Sequence, residues 1–136
     1  MESKEKTSLT TSLILLLSIT CGVVVANMYY IQPIGTKVAA SLSVSTSAVG
    51  ILTMLTQLGY ALGLLFLVPL GDVVDRPKLI IRMAALSAIS LLAAFFAPSF
   101  TLFACASFLI GLLSIVPQII IPYGAVLAGP KARGKV

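Results

Sequence analysis

Gly71-Asp72-Val73-Val74-Asp75-Arg76-Pro77-Lys78-Leu79-Ile80-Ile81-Arg82 is the stretch that decides how this chain is read. It places Asp72 and Asp75 beside Arg76, Lys78 and Arg82. On either side charge disappears: no Asp, Glu, Lys or Arg occurs from Val38 to Gly71 or from Met83 to Pro130. A charge cluster between two long apolar runs cannot lie in hydrocarbon. It therefore marks where the chain leaves a membrane.

Composition agrees. Of 136 residues, 59% are hydrophobic and 10% charged, whereas a soluble domain carries roughly 25% charged residues. The net charge of +5 does not indicate nucleic acid, because the basic residues sit in short groups beside apolar runs instead of on one basic, aromatic-studded face. Anionic lipid head groups suit them better. Cys21 and Cys105 lie far apart inside apolar runs, and the chain has no histidine. Neither a disulfide framework nor a metal site is expected, and no cofactor is implied.

Working outward from the charged stretch gives an all-α integral membrane chain with four spans at about 9–31, 47–70, 79–97 and 100–127, and a cytoplasmic loop at 71–78. The first is clearest from Leu13 to Ile31, long enough at 1.5 Å per residue to cover about 28 Å of hydrocarbon. Ser43 to Ser47 form a polar stretch able to cap the second. Pro98 and Ser99 separate the third from the fourth. Such runs are helices because lipid offers the backbone no other partners. A cleaved secretory signal fits poorly: the first run is long, lacks a small-residue cleavage site, and is followed by three more spans.

Orientation follows from Lys and Arg alone. Lys4, Lys6, Arg76, Lys78, Arg82, Lys131, Arg133 and Lys135 fall on one side, and Lys37 alone on the other. The multi-pass chain is thus expected in the cell membrane with both termini cytoplasmic.

Neutral polar residues mark three spans. The first carries Thr20, Asn27 and Tyr30; the second Thr53, Gln57 and Tyr60; the fourth Ser107, Ser114 and Gln118, with Gly111 among them. Each set repeats at helical spacing and shares a face. The third has Ser87 and Ser90 and reads as packing or lipid-facing. Hydrogen bonds between helices use these same residue types, while the larger amides of Asn27 and Gln118 also suit an aqueous pathway. Gly59 and Gly63 form a GxxxG that permits close helix approach. Pro117 and Pro122 are expected to bend the fourth span. No carboxylate lies deep in a span to relay protons, and no His or intramembrane Lys is available to activate a serine, so an enzyme is not expected.

The charged stretch resembles the signature loop between helices two and three of the major facilitator superfamily: a Gly, three residues, Asp-Arg, then a basic run, here Gly71, Asp75, Arg76, Lys78 and Arg82. Asn27-Met28-Tyr29-Tyr30-Ile31-Gln32-Pro33 resembles the end of helix one in bacterial efflux relatives, and Leu55-Thr56-Gln57-Leu58-Gly59-Tyr60 part of helix two. The resemblance implies helices 1–4 of a twelve-helix fold built from inverted three-helix repeats, hence an N-terminal portion of a secondary, efflux- or antiporter-like transporter of a small solute. The missing helices, the lipid bilayer and the solute would be its partners.

The resemblance also implies roles. Asp75 would face the N-terminal end of a helix in the other half, where a carboxylate is favoured. Gly71, Arg76 and Lys78 would complete that conformational latch. Asn27, Tyr30, Gln57, Ser114 and Gln118 are the candidates for the solute pathway. Two departures stand out. Pro77 replaces the Gly usual after Asp-Arg. Ser107 stands four residues before Gly111, where many proton-coupled exporters have Arg.

Two other readings compete. A complete four-helix dimeric exporter would be similar to the small multidrug resistance family, which relies on a glutamate inside helix one; no acid lies in the first span here. A non-transporting remnant or assembly partner is the other, separable by measuring flux through the reconstituted chain.

Overall fold

The structure, a computed structural model, describes residues 10–128. Leu9, the early limit of the first span, lies outside them. So do Lys4, Lys6, Lys131, Arg133, Lys135 and both termini. Among the described residues every regular element is a helix: α1 (Thr11–Tyr29), α2 (Ile31–Ser41), α3 (Thr46–Val73), α4 (Arg76–Phe95), α5 (Phe100–Leu113) and α6 (Val116–Ala128). They make four helices long and apolar enough to cross a membrane, since α5 and α6 together form the fourth.

Helix starts follow local chemistry. Thr10 accepts a hydrogen bond from the Leu13 amide at 3.3 Å, and Ser99 one from the Leu102 amide at 3.4 Å, each satisfying a first-turn donor. Ser45 is the N-cap of α3 but makes no cap bond. Its hydroxyl instead pairs with that of Ser47 at 2.7 Å.

Proline explains two interruptions. Its ring crowds the carbonyl four residues back and offers that carbonyl no donor. For Pro33 that carbonyl belongs to Tyr29, and α1 gives way at Tyr30, whose backbone stays right-handed helical (φ −57°, ψ −31°). The long apolar helix of the first span thus ends at Tyr29, close to the expected Ile31, and the chain goes on beyond Tyr30 as the shorter α2. That extension is amphipathic, burying Ile31, Gly35 and Ala39 while Gln32, Thr36 and Lys37 stay exposed. For Pro117 the crowded carbonyl is that of Leu113, where α5 stops. Gln118 restarts the ladder by donating to the Ile115 carbonyl at 2.9 Å. Pro69 and Pro122 sit inside α3 and α6 without ending them.

The turn between α2 and α3 carries two nested bonds, Val44 N–H to the Ala39 carbonyl (2.9 Å) and Ser43 N–H to that of Ala40 (3.3 Å). This is the helix-ending arrangement that requires a left-handed residue. Ser43 supplies it at φ 53°, a position where glycine is usual.

In the bundle, α5 lies between α3 and α4, while α6 meets α1 and α4. The core divides in two along the α5–α6 interruption. One cluster gathers Val24, Met83, Leu113, Ile115, Val116, Ile119 and Ile120; the other Ile31, Leu52, Ala94, Phe103, Ala104, Ala106 and Ile110. The α3–α5 contact is the closest. A Cβ added to Gly59 would collide with the Phe108 carbonyl oxygen, and one on Gly63 would stand 2.5 Å from that of Leu112. One on Gly111 would collide with the backbone of Thr56. Glycines on both helices thus let the two backbones touch.

Candidate functional site

The charged stretch forms a tighter turn than expected. Within the stretch 71–78, α3 runs through Val73 and α4 begins at Arg76, leaving Val74 and Asp75 between them. The Val74 amide still bonds the Leu70 carbonyl at 3.0 Å, so α3 winds to its end. Pro77 falls in the first turn of α4, where its missing N–H leaves no gap. That placement accounts for proline at a position where a turn glycine was expected.

Arg76 closes this corner. Its Nε donates to the Gly71 carbonyl at 3.1 Å and its Nη2 to Asp72 Oδ1 at 2.9 Å. The Gly71 carbonyl is one of the unpaired acceptors at the end of α3, and a cation there meets the negative end of the helix dipole. Asp72, which sequence reasoning assigned no role, is therefore the partner of Arg76. Gly71 is buried, and a Cβ on it would stand 3.6 Å from Ile119 and Leu79, an ordinary contact. Asp75 is exposed at the N-cap of α4, makes no cap bond, and faces Lys78 at 3.3 Å. An ion pair this exposed contributes little.

Gln118, expected on the solute pathway, joins the same corner. A small recess is bounded by Val68, Gly71, Asp72, Arg76, Gln118 and Pro122. Gln118 is exposed, and its Nε2 donates to the Tyr60 hydroxyl at 3.1 Å, tying α6 to α3. One pathway candidate thus lies beside the latch residues Gly71 and Arg76.

The other pathway candidates are dispersed. Tyr30, half-buried at the α1–α2 kink, shares a hydrogen bond of 3.2 Å with the hydroxyl of Ser107. Ser107, where many exporters place an arginine, is wholly buried. Ser114 is 1% exposed, and its hydroxyl donates to the Ile110 carbonyl at 2.6 Å, so it lines no opening in this arrangement. Its work is local, helping close the end of α5 ahead of Pro117. Asn27 is half-buried and lines a groove between α1 and α4 with Thr20 and Ser87. Gln57 is exposed on α3. The Tyr30–Ser107 and Tyr60–Gln118 pairs join residues far apart in the chain, and helical spacing alone does not reveal them.

The chain is similar to known transporters over most of its length. The model of the Major Facilitator Superfamily matches residues 14–136. The uncharacterized transporter YgaY of Escherichia coli, in strains K12 and O157:H7, is 43% identical over 134 residues, covering 98% of this chain and 34% of the relative. The probable transporter SCO4007 of Streptomyces coelicolor is 41% identical over 75 residues, 55% of this chain and 17% of the relative. No solved structure matches. The chain spans about a third of the length of YgaY. With four apolar spans, a glycine-matched helix pair and the charged turn at Gly71–Lys78, the chain belongs to the Major Facilitator Superfamily of membrane transporters.

Proposed function

We propose that these residues form part of the N-terminal half of a secondary transporter that carries a small solute out of the cell, with the turn at Asp75 on the cytoplasmic face of the cell membrane. The observation that carries this reading is the division of labour in that turn. Arg76 is engaged by its own corner, bound to Gly71 and Asp72. Among the described residues, exposed Asp75 pairs only with exposed Lys78. A carboxylate so placed is available to the positive end of a helix in the opposite half, and would latch one conformation of two rocking halves. Lys and Arg bias supports the cytoplasmic placement.

The solute pathway in this reading runs along Asn27, Gln57, Tyr30 and Gln118, whose groups are neutral. Tyr30 and Gln118 would then exchange an interhelical bond for a solute contact, while buried Ser114 acts as a support.

Asp75→Asn keeps shape and removes charge. In a full-length transporter carrying this segment, it is expected to lower transport at least tenfold while membrane insertion stays normal. Proteoliposome flux against protein yield checks this; unchanged flux would refute the latch.

A further inference from the structure

Asp72 and Asp75 are the only acidic side chains among residues 10–128, and the turn between α3 and α4 divides two cations between them. Asp72 Oδ1 receives Arg76 Nη2 at 2.9 Å, and Asp75 Oδ2 lies 3.3 Å from Lys78 Nζ. Arg76 stands next to Asp75 in the chain. Its guanidinium nevertheless turns back to α3, where its Nε also donates to the Gly71 carbonyl at 3.1 Å. Across the recess α6 presents Gln118, Ile119 and Pro122, which are neutral. Among the described residues, then, two carboxylates compete for Arg76, and Asp72 takes it.

The two partners are unequal. A guanidinium bound at two points is fixed in direction, whereas an ammonium on a flexible stem is a strongly hydrated point charge. Arg76 is 29% exposed and Lys78 72%, so Lys78 is the more screened and the more readily displaced. Alone, Asp72 would weaken α3, because an acid in its last turn meets the negative end of the helix dipole. Arg76 over the same turn offsets that cost. What Asp72 contributes is the direction of the arginine.

We propose that Asp72 is a positioning residue of this turn: by holding the Arg76 guanidinium on the α3 side, it leaves Asp75 with a displaceable partner and so free to engage another positive group. Its consequence for conformational change rests on the reading of Asp75 as a latch.

Carbodiimide coupling in the detergent-solubilised 136-residue chain tests this. The reagent joins Asp75 to Lys78 through an amide, which mass spectrometry reads, and does not join a carboxylate to arginine. Asp72→Asn is expected to lower the amide yield about threefold, as Arg76 swings to Asp75 and displaces Lys78. Combining Asp72→Asn with Arg76→Gln is expected to restore the yield, a recovery that a merely structural role for Asp72 would not give. An unchanged yield in Asp72→Asn, or a loss that persists in the double variant, would overturn the proposal. In a full-length transporter carrying this segment, Asp72→Asn is expected to lower flux about threefold where Asp75→Asn lowers it more. Normal flux in Asp72→Asn, with Asp75→Asn impaired, would remove Asp72 from the latch. Normal flux in Asp75→Asn itself would sink the latch reading, while the coupling result would still decide whether Asp72 positions Arg76.

Discussion

The α3–α5 seam and the α1 edge are built from the same alphabet and end up opposite in character. Both are apolar helices containing glycine. Along the seam, glycine is where backbone meets backbone: Gly59, Gly63 and Gly111 have no room for a methyl group. On α1, a Cβ added to Gly22 would meet nothing within 4 Å. The most apolar stretch of α1 is 11% buried, against 67% for that of α5–α6. Between helices in lipid, the drive to associate comes from close packing and hydrogen bonds, since the tails are as apolar as the side chains. The seam has the close packing within these residues, while the interhelical hydrogen bonds lie beside it, at Tyr30–Ser107 and Tyr60–Gln118. The edge has Tyr30, a shared contact with α6, and the open groove at Ser87.

The strongest way to break the contrast is Gly111→Leu. Its side chain would have to displace the Thr56 backbone, a costlier adjustment than moving a neighbouring side chain. A loss of at least about 3 kcal/mol is expected, at the upper end for overpacking. Denaturation in mixed micelles, followed by circular dichroism, reads it; near-wild-type stability would mean that the seam is not close-packed. Gly35→Ala provides a comparison, because the atoms nearest its Cβ belong to a side chain, that of Val49, with Cγ1 at 2.5 Å. Valine is stiff at χ1 in a helix, so the two helices must part slightly, and a cost of about 1–2 kcal/mol, below that of Gly111→Leu, is expected.

Tyr30→Phe tests the link from the edge to α5. It leaves the buried Ser107 hydroxyl without its tyrosine partner. Interhelical bonds in membranes average about 0.6 kcal/mol, with a maximum near 1.7, and a loss toward the upper figure is expected because Ser107 is enclosed. If Tyr30→Phe is neutral while Ser107→Ala is costly, the bond is not the link. Gly22→Ala has the smallest expected effect and the opposite sign: a gain of about 0.5–1 kcal/mol from helix propensity with no collision. Destabilisation by that change, measured in the same assay, would show that α1 packs more closely than the edge described here.

Much of this was legible in the sequence because membranes simplify the rules. Apolar length locates the spans, and Gly59-x-x-x-Gly63 marks where α3 comes close to a neighbour. Pro117 marks a bend. The short helix α2 that follows the first span carries no such mark. Gln32, Thr36 and Lys37 look like a loop, yet they occupy the exposed side of a continuing helix whose buried side is Ile31, Gly35 and Ala39. The buried positions recur every four residues, and the polar residues between them mask that period. The site was less readable. Neutral polar groups on one helix face can bond a neighbour or border a cavity, and spacing does not distinguish the two. Ser114 and Gln118 show the difference: four residues apart on the same span, one is sealed in the core and the other is exposed beside Arg76. The helix interruption at Pro117 comes between them, so a single face cannot be extrapolated across it.

The 28 residues of α3 carry a further consequence. At 1.5 Å each they extend about 42 Å, while the hydrocarbon core is about 30 Å thick. Even at the common tilt of about 20° the helix overreaches that core by several ångströms. Its surplus must enter the head-group layers, and the end bearing Gly71 and Asp72 is the charged one. The Arg76 corner would then sit among phosphates, its depth set by bilayer thickness. A thicker membrane would draw the Gly71 carbonyl toward hydrocarbon and a thinner one would lift it into water, giving the corner a mechanical sensitivity to the lipid around it.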